Sequence, residues 1–290
     1  MNTKRFGVSA ILLASIMWAI EPTLAKLSYQ NSDFLQTSAI RAIFAALTAL
    51  IYIAITKKVN LGITKQQLSA LAYTAIVGTL FADLMYFFAL TKVPVINAVL
   101  IGHMQPIFII LIGFFILRSD KLTKFDYAGI IFMIISGLMI TTKTLENFTA
   151  FKLGTLGDLL VLSATVAWAT TTIVMKKYLK NMNAGVVVFY RFLFASMVFV
   201  IFLISTSRIS ISNIYQILVG IIVGIGSILY YEGLKRIKAV QVSSLELSTP
   251  FFAAILGFFV LGELVTIMQI IGIFLLFIGV YFLSKKEESK

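Results

Sequence analysis

Ionisable side chains stand inside long apolar runs of this 290-residue chain, among them Glu21, Asp83, His103 and Glu246. A charge in the middle of such a run costs about 2.5–3.5 kcal/mol on membrane-insertion scales, so each must either find a partner or carry a function. Glu21 directly precedes Pro22, whose ring removes a backbone donor and loosens the helix, and Trp18 lies three residues earlier on the same helical face. A carboxylate, an aromatic plate and freed carbonyls together suit a cationic or amino group, or a proton; equally, Glu21 can neutralise Lys26 or Arg41. His103 comes three residues before Pro106 and Glu246 four before Pro250. Histidine is the side chain that changes charge between about pH 5 and 8, and a carboxyl shielded from water is the other group suited to carry a proton. Glu21, His103 and Glu246 are therefore the proton-coupling candidates. The alternatives are a histidine satisfied by a neighbouring helix and a Glu246 held by a structural partner such as Arg191.

Further candidates lie on the same runs. Asp83 and Tyr86 share a helical face, and Tyr230, Trp168 and Trp18 complete an aromatic set that can stack a ring or cover a cation. Tyr and Trp also populate membrane interfaces, so these four have a second reading as interface anchors. Asn97 and Gln241 can donate hydrogen bonds to a substrate or hold helices together. Arg41 and Arg191 read as structural charges pairing with acidic groups or helix C-termini, the alternative being a substrate carboxylate. Lys26, with Lys176, is expected to snorkel to a surface, Glu232 to pair with Lys235 and Arg236, and Glu263 to cap or pair locally. Phe114, Phe115, Phe258 and Phe259 read as lipid-facing or packing residues.

Several chemistries are excluded. With one histidine and no cysteine there is no His-rich or Cys-ligated metal centre, no thiol nucleophile and no disulfide. No Gly-rich phosphate loop ending in Lys-Ser/Thr occurs, so ATP is not a direct energy source. There is no Gly-x-Ser-x-Gly, and Gly154-Thr155-Leu156-Gly157-Asp158 does not supply the Gly-x-Gly-Asp of an intramembrane aspartyl protease. No catalytic residue, metal or cofactor is expected.

The elements that must position these residues follow from composition. Sixty per cent of residues are apolar and 12% charged, with mean hydropathy +1.00. A spanning helix needs about 20 mostly apolar residues, and such runs lie near 6–27, 34–56, 68–90, 95–117, 125–142, 155–175, 185–205, 214–234, 240–261 and 267–284. They lack the alternation and length of barrel strands, so the expected fold is an all-α membrane protein of ten transmembrane helices. The first run follows Lys4 and Arg5 but is too long for a signal-peptide core, and reads as an uncleaved span. The net charge of +12 is distributed as topology rather than as a nucleic-acid patch: with a cytoplasmic N-terminus, seventeen Lys and Arg fall on the inner side and four on the outer. Both termini are then cytoplasmic in the inner membrane. The expected partners are the lipid bilayer and a small-molecule substrate, not nucleic acid, with the chain acting as a monomer or weak homodimer.

The chain is also written twice. A shift of 144 positions superposes Tyr86, Leu90, Pro106, Phe108, Gly113, Phe114 and Phe115 on Tyr230, Leu234, Pro250, Phe252, Gly257, Phe258 and Phe259. A shift of 150 superposes Trp18, Lys26, Arg41, Phe44 and Ala45 on Trp168, Lys176, Arg191, Phe194 and Ala195. The reading is a first five-helix repeat over 1–142, an outer connecting loop over 143–154, a second repeat over 155–284 and a cytoplasmic tail over 285–290. Five spans is an odd number, so the second copy starts on the opposite side of the membrane. Inverted repeats of this kind are the architecture of alternating-access transporters.

These same residues carry a resemblance. Trp18 with Lys26, Arg41 with Phe44-Ala45, the run Tyr86 to Leu90, Pro106, Arg191 to Ala195, Tyr230 to Leu234, Pro250, Leu261-Gly262-Glu263, Gly272 and Gly279 together resemble the drug/metabolite transporter superfamily, in its EamA group. The resemblance covers the whole chain. It departs where the first copy has Arg118-Ser119-Asp120 against Gly262-Glu263, and where Thr249-Pro250 replaces the Glu-Pro of many relatives. It implies export or exchange of a small metabolite, such as an amino acid, through a central cavity lined by both repeats. The competing reading is a channel or a non-transporting membrane scaffold. Within the transporter reading, the acidic set leans toward a substrate bearing an amine.

Overall fold

A computed structural model describes residues 3–56, 60–115, 123–152, 154–206, 210–237, 242 and 245–284. The described residues form helices and no strand. In chain order the long elements are α1 (Thr3–Ser28), α2 (Phe34–Ile55), α3 (Lys65–Leu90), α4 (Val95–Phe115), α5 (Lys124–Thr142), α6 (Leu156–Tyr178), α7 (Ala184–Ser205), α8 (Ile214–Leu234), α9 (Ser248–Leu261) and α10 (Ile267–Ser284). A single-turn helix, Leu145–Thr149, joins α5 to α6. The chain is an all-α membrane protein. α1 to α8 are each long and apolar enough to cross a bilayer, whereas α9 and α10 are shorter. The exterior is apolar: Ile51, Ile55, Phe115, Phe259 and Phe274 are all well over half exposed, as lipid-facing side chains must be.

Short polar residues start the helices where the sequence places them. Asp33 accepts the Gln36 N–H of α2 at 2.7 Å, and Thr123–Asp126 and Thr155–Asp158 close reciprocal caps on α5 and α6. Three helices are irregular, and all three irregularities adjoin the central cavity. α3 is π-helical from Thr74 to Asp83, a widened geometry concentrated at functional sites. α4 is interrupted at His103–Met104, just before Pro106. The span expected from about residue 240 is likewise interrupted: Val242, Leu245 and Glu246 are helical, Leu247 is a turn, and α9 runs on from Ser248. The last two breaks share a physical reason: Pro106 and Pro250 have no N–H to bond the carbonyl four residues back.

The helices pack in a fixed pattern. α1 lies on α8 and α9, α2 on α7 and α8, α3 on α6 and α7, α4 on α6 and α9, and α5 on α10. Exchanging each helix for the one five places away leaves this set of pairs unchanged. The α5–α10 pair is pressed backbone to backbone: a Cβ on Gly129 would lie 2.8 Å from the Gly279 carbonyl oxygen, and one on Gly279 would lie 3.1 Å from that of Gly129.

Candidate functional site

A cavity of about 220 Å³ lies at the centre of the bundle. Its walls come from α1 (Trp18, Glu21, Pro22), α2 (Arg41), α3 (Asp83, Tyr86), α4 (His103, Gln105), α6 (Trp168, Thr172, Lys176), α7 (Arg191), α8 (Ser227, Tyr230) and the helical segment just before the Leu247 turn (Glu246). Lys176, in the last turn of α6, is exposed, and Leu234 and Val280 line the same end. The cavity therefore opens toward the C-terminal ends of α6, α8 and α10.

Its floor is an ion network. The Arg41 Nε donates to Glu21 Oε1 at 2.6 Å, and its Nη1 to Asp83 Oδ2 at 3.0 Å. Asp83 also accepts Arg191 Nη2 at 3.1 Å and the Trp168 Nε1–H at 2.7 Å, while Arg191 Nε donates to Thr79 Oγ1 at 2.9 Å. Arg41 is held further between the rings of Phe87 and Phe192, 4.9 and 5.4 Å from their centroids. Two carboxylates and two guanidinium groups cancel, which is how four charges survive burial. Of the two neutralising partners open to Glu21, Arg41 takes it. Arg191 goes to Asp83 and not to Glu246, correcting the pairing expected for that residue.

Above this floor stand two matched aromatic pairs. Trp18 and Tyr230 lie 4.9 Å apart at 52°, and Trp168 and Tyr86 lie 5.2 Å apart at 54°. Each pair takes one member from each half of the chain, and the sequence shifts of 150 and 144 convert one pair into the other. Toward the open end, His103 places Nδ1 2.7 Å from the Val99 carbonyl oxygen and also reaches the main chain of Glu246, whose carbonyl lost its helical donor to Pro250. The Glu246 side chain lines the cavity within electrostatic reach of Tyr230 and Lys176, and no described cation stands within ion-pair distance of it.

Of the remaining expected residues, Asn97 is outside the cavity. It is fully buried, donating Nδ2 to Asp158 Oδ1 at 3.2 Å and accepting from Gln269, so it holds α4, α6 and α10 together. Gln241 lies outside the described residues. Lys26 does not snorkel: its Nζ is 2.8 Å from Glu263 Oε1, and Glu263, far from capping locally, also accepts the Val95 N–H at the start of α4. Glu232 pairs with Lys235 and Arg236 as expected. Two participants have no place among the sequence candidates: Thr79 orients Arg191, and Gln105 donates to Thr172 across the cavity at 2.8 Å. Lys176, expected to reach a surface, is exposed at the end of α6 and also lines the cavity mouth. Only the duplication hinted at Lys176, as the copy of Lys26.

Comparison with known proteins gives a consistent picture. Residues 5–142 and 155–285 each match the EamA-like transporter family. An uncharacterized transporter of Synechocystis is 29% identical over 75% of this chain and 65% of its own length. An uncharacterized transporter of Bacillus subtilis is 26% identical over 96% of this chain and 93% of its own. The pseudopaline exporter of Pseudomonas aeruginosa is 23% identical over 48% of each chain. A solved crystal structure matches 97% of this chain and 96% of its own, with a TM-score of 0.63 and 18% identity, a likeness of fold.

Proposed function

The chain belongs to the EamA-like transporter family, and we propose that it is a secondary carrier exporting or exchanging a small polar metabolite that bears an ammonium group, an amine or an amino acid. It works by alternating access, with the cavity lying between two inverted repeats (1–142 and 155–284), in the inner membrane with both termini cytoplasmic. The helix pairing that survives exchange of the two halves supports the repeat reading. The mixture of broken helices and charge at the cavity is what carriers use to hold polar cargo at mid-membrane.

The observation that carries the substrate class is Glu246. Glu21 and Asp83 are occupied by Arg41 and Arg191, so they present little net charge to a ligand. Glu246 keeps its carboxylate toward the cavity without an ion-pair partner among the described residues, beside the Trp18–Tyr230 pair. A carboxylate next to aromatic faces suits an ammonium group attached to an apolar body. His103, in contact with the Glu246 main chain, is placed to exchange a proton as the substrate comes and goes, which is the route by which transport would couple to protons.

The test is a ligand-stabilisation screen on purified protein with amino acids, polyamines, quaternary amines and nucleosides at two pH values. A ligand present at 100 times its Kd stabilises the folded state by about 2.7 kcal/mol, a readable shift. Amines or zwitterions should raise the melting temperature of the parent and not of Glu246→Gln. Hits confined to anions would overturn the assignment and point to Arg41 and Arg191. Counterflow in proteoliposomes, accelerated by internal substrate, separates a carrier from a channel.

A further inference from the structure

The cavity opens at one end of the bundle, and at the other end the helices are tied together by two polar clasps. We infer that these clasps are a reversible gate, closed in this conformation and broken when the cavity opens to the opposite face. The inference rests on the carrier reading above.

The first clasp is centred on Glu263. Gly262 ends α9 in the left-handed conformation at φ +68°, where glycine is at ease, and the reversed chain bonds the Glu263 N–H to the Gly257 carbonyl at 2.9 Å. This turn aims the Glu263 carboxylate at two groups from other helices. They are Lys26 Nζ at the end of α1, 2.8 Å away, and the Val95 N–H at the start of α4, 2.8 and 3.0 Å from its two oxygens. The second clasp is centred on Asn97, two residues further into α4, bonded to Asp158 in the first turn of α6 and to Gln269 in the first turn of α10. Five helices thus converge on two side chains.

Both clasps are remote from the mouth. Asp158 and Lys176 occupy opposite ends of α6, 18 residues and therefore about 27 Å apart, close to the thickness of the hydrocarbon. The bonds are also of a kind that can be undone. Lys26 and Glu263 each keep some contact with water, and every clasp atom can exchange its protein partner for water once a passage forms, whereas an apolar seal gains nothing from wetting. The duplication supplies an internal comparison. Lys176, the copy of Lys26, stands at the open end with no ion pair among the described residues, while Lys26 at the closed end is engaged. One sequence position is in two conditions at the two ends.

The chain contains no cysteine, so a single introduced thiol reports access directly. Ser227, which lines the cavity, is replaced by Cys, and its reaction with a charged, membrane-impermeant methanethiosulfonate is timed from each face, in intact cells and in inverted vesicles. Ser227→Cys should react readily from the Lys176 face and slowly from the Lys26 face. Adding Glu263→Gln, Lys26→Gln or Asn97→Ala should raise the slow rate at least about tenfold, because that rate follows the population open to that face. Equal rates from both faces in the parent would overturn the proposal. So would clasp variants that still react from the Lys176 face, showing that they fold, but gain nothing from the other. Three variants guard against misfolding of any one. No substrate is needed, so a failed gate with intact counterflow discards the clasps alone, while a failed flux assay leaves the accessibility result standing.

Discussion

Replacing Asp83 by Asn keeps the shape of the side chain and removes the charge on which four helices converge. In the wild type its carboxylate, 4% exposed, accepts from Arg41, Arg191 and Trp168. An asparagine offers one acceptor oxygen and turns two N–H donors toward groups that are themselves donors. The buried network changes from neutral to one net positive charge, and Arg191 loses its only carboxylate partner among the described residues. Removing one member of a buried ion pair costs about 3–5 kcal/mol, because the survivor stays desolvated. With each kcal/mol worth about 2–4 °C for a chain approaching this size, the melting temperature in detergent should fall by on the order of 10 °C. The informative measurement is the cycle of Asp83→Asn, Arg191→Gln and the double variant. Arg191→Gln alone should cost less than Arg41→Gln, since its side chain is 13% exposed against 4% and meets one carboxylate rather than two. The double variant restores neutrality and should be more stable than Asp83→Asn, with a coupling of about 1–3 kcal/mol. A fall of no more than about 2 °C for Asp83→Asn, or effects that add within about 0.5 kcal/mol, would refute the claim that this network is charge-balanced and held by burial.

Other expectations follow from the same geometry. Trp168→Phe preserves the ring pair with Tyr86 but deletes the indole donor to Asp83, and should cost about 1.5–3 kcal/mol by thermal denaturation, the range for a hydrogen bond to a charged group. Trp18→Phe, which loses no such bond, should cost clearly less in the same assay. Gly129→Ala forces a Cβ to 2.8 Å from the Gly279 carbonyl and should destabilise by about 1–3 kcal/mol as an overpacked contact. Alanine at exposed Gly262 adds no clash, meeting nothing within 4 Å, but must pay for positive φ; a melting shift as large as that of Gly129→Ala would be unexpected. Lys176→Gln should strengthen binding of ammonium ligands in a titration, because it removes a cation within electrostatic reach of Glu246.

The division between what sequence and structure each settle is visible residue by residue. Composition alone determined a membrane-spanning helical bundle, because only internally bonded helices let ten apolar runs satisfy their backbones in hydrocarbon. The repeated Trp, Tyr and Arg positions picked out Trp18, Trp168, Tyr86, Tyr230, Arg41 and Arg191, all of which line one cavity, whereas the equally repeated Phe115 and Phe259 face outward. Prolines marked the breaks near His103 and Glu246 for the local reason that a missing N–H cannot be restored. What spacing could not decide was partnership. Lys26 and Arg41 were both open to Glu21, and the choice depended on how α1 lies against α2 and α3. Glu263 looked local because its partner is 237 residues away. Asn97 looked like a cavity residue because a helix that is apolar nearly all round hides which way an amide faces; only the packing of α6 and α10 against α4 turned it into a clasp, while Gln105 on the same helix lines the cavity. Local chemistry is written along the chain, but the azimuth of a helix and the identity of its neighbour are properties of the packed bundle.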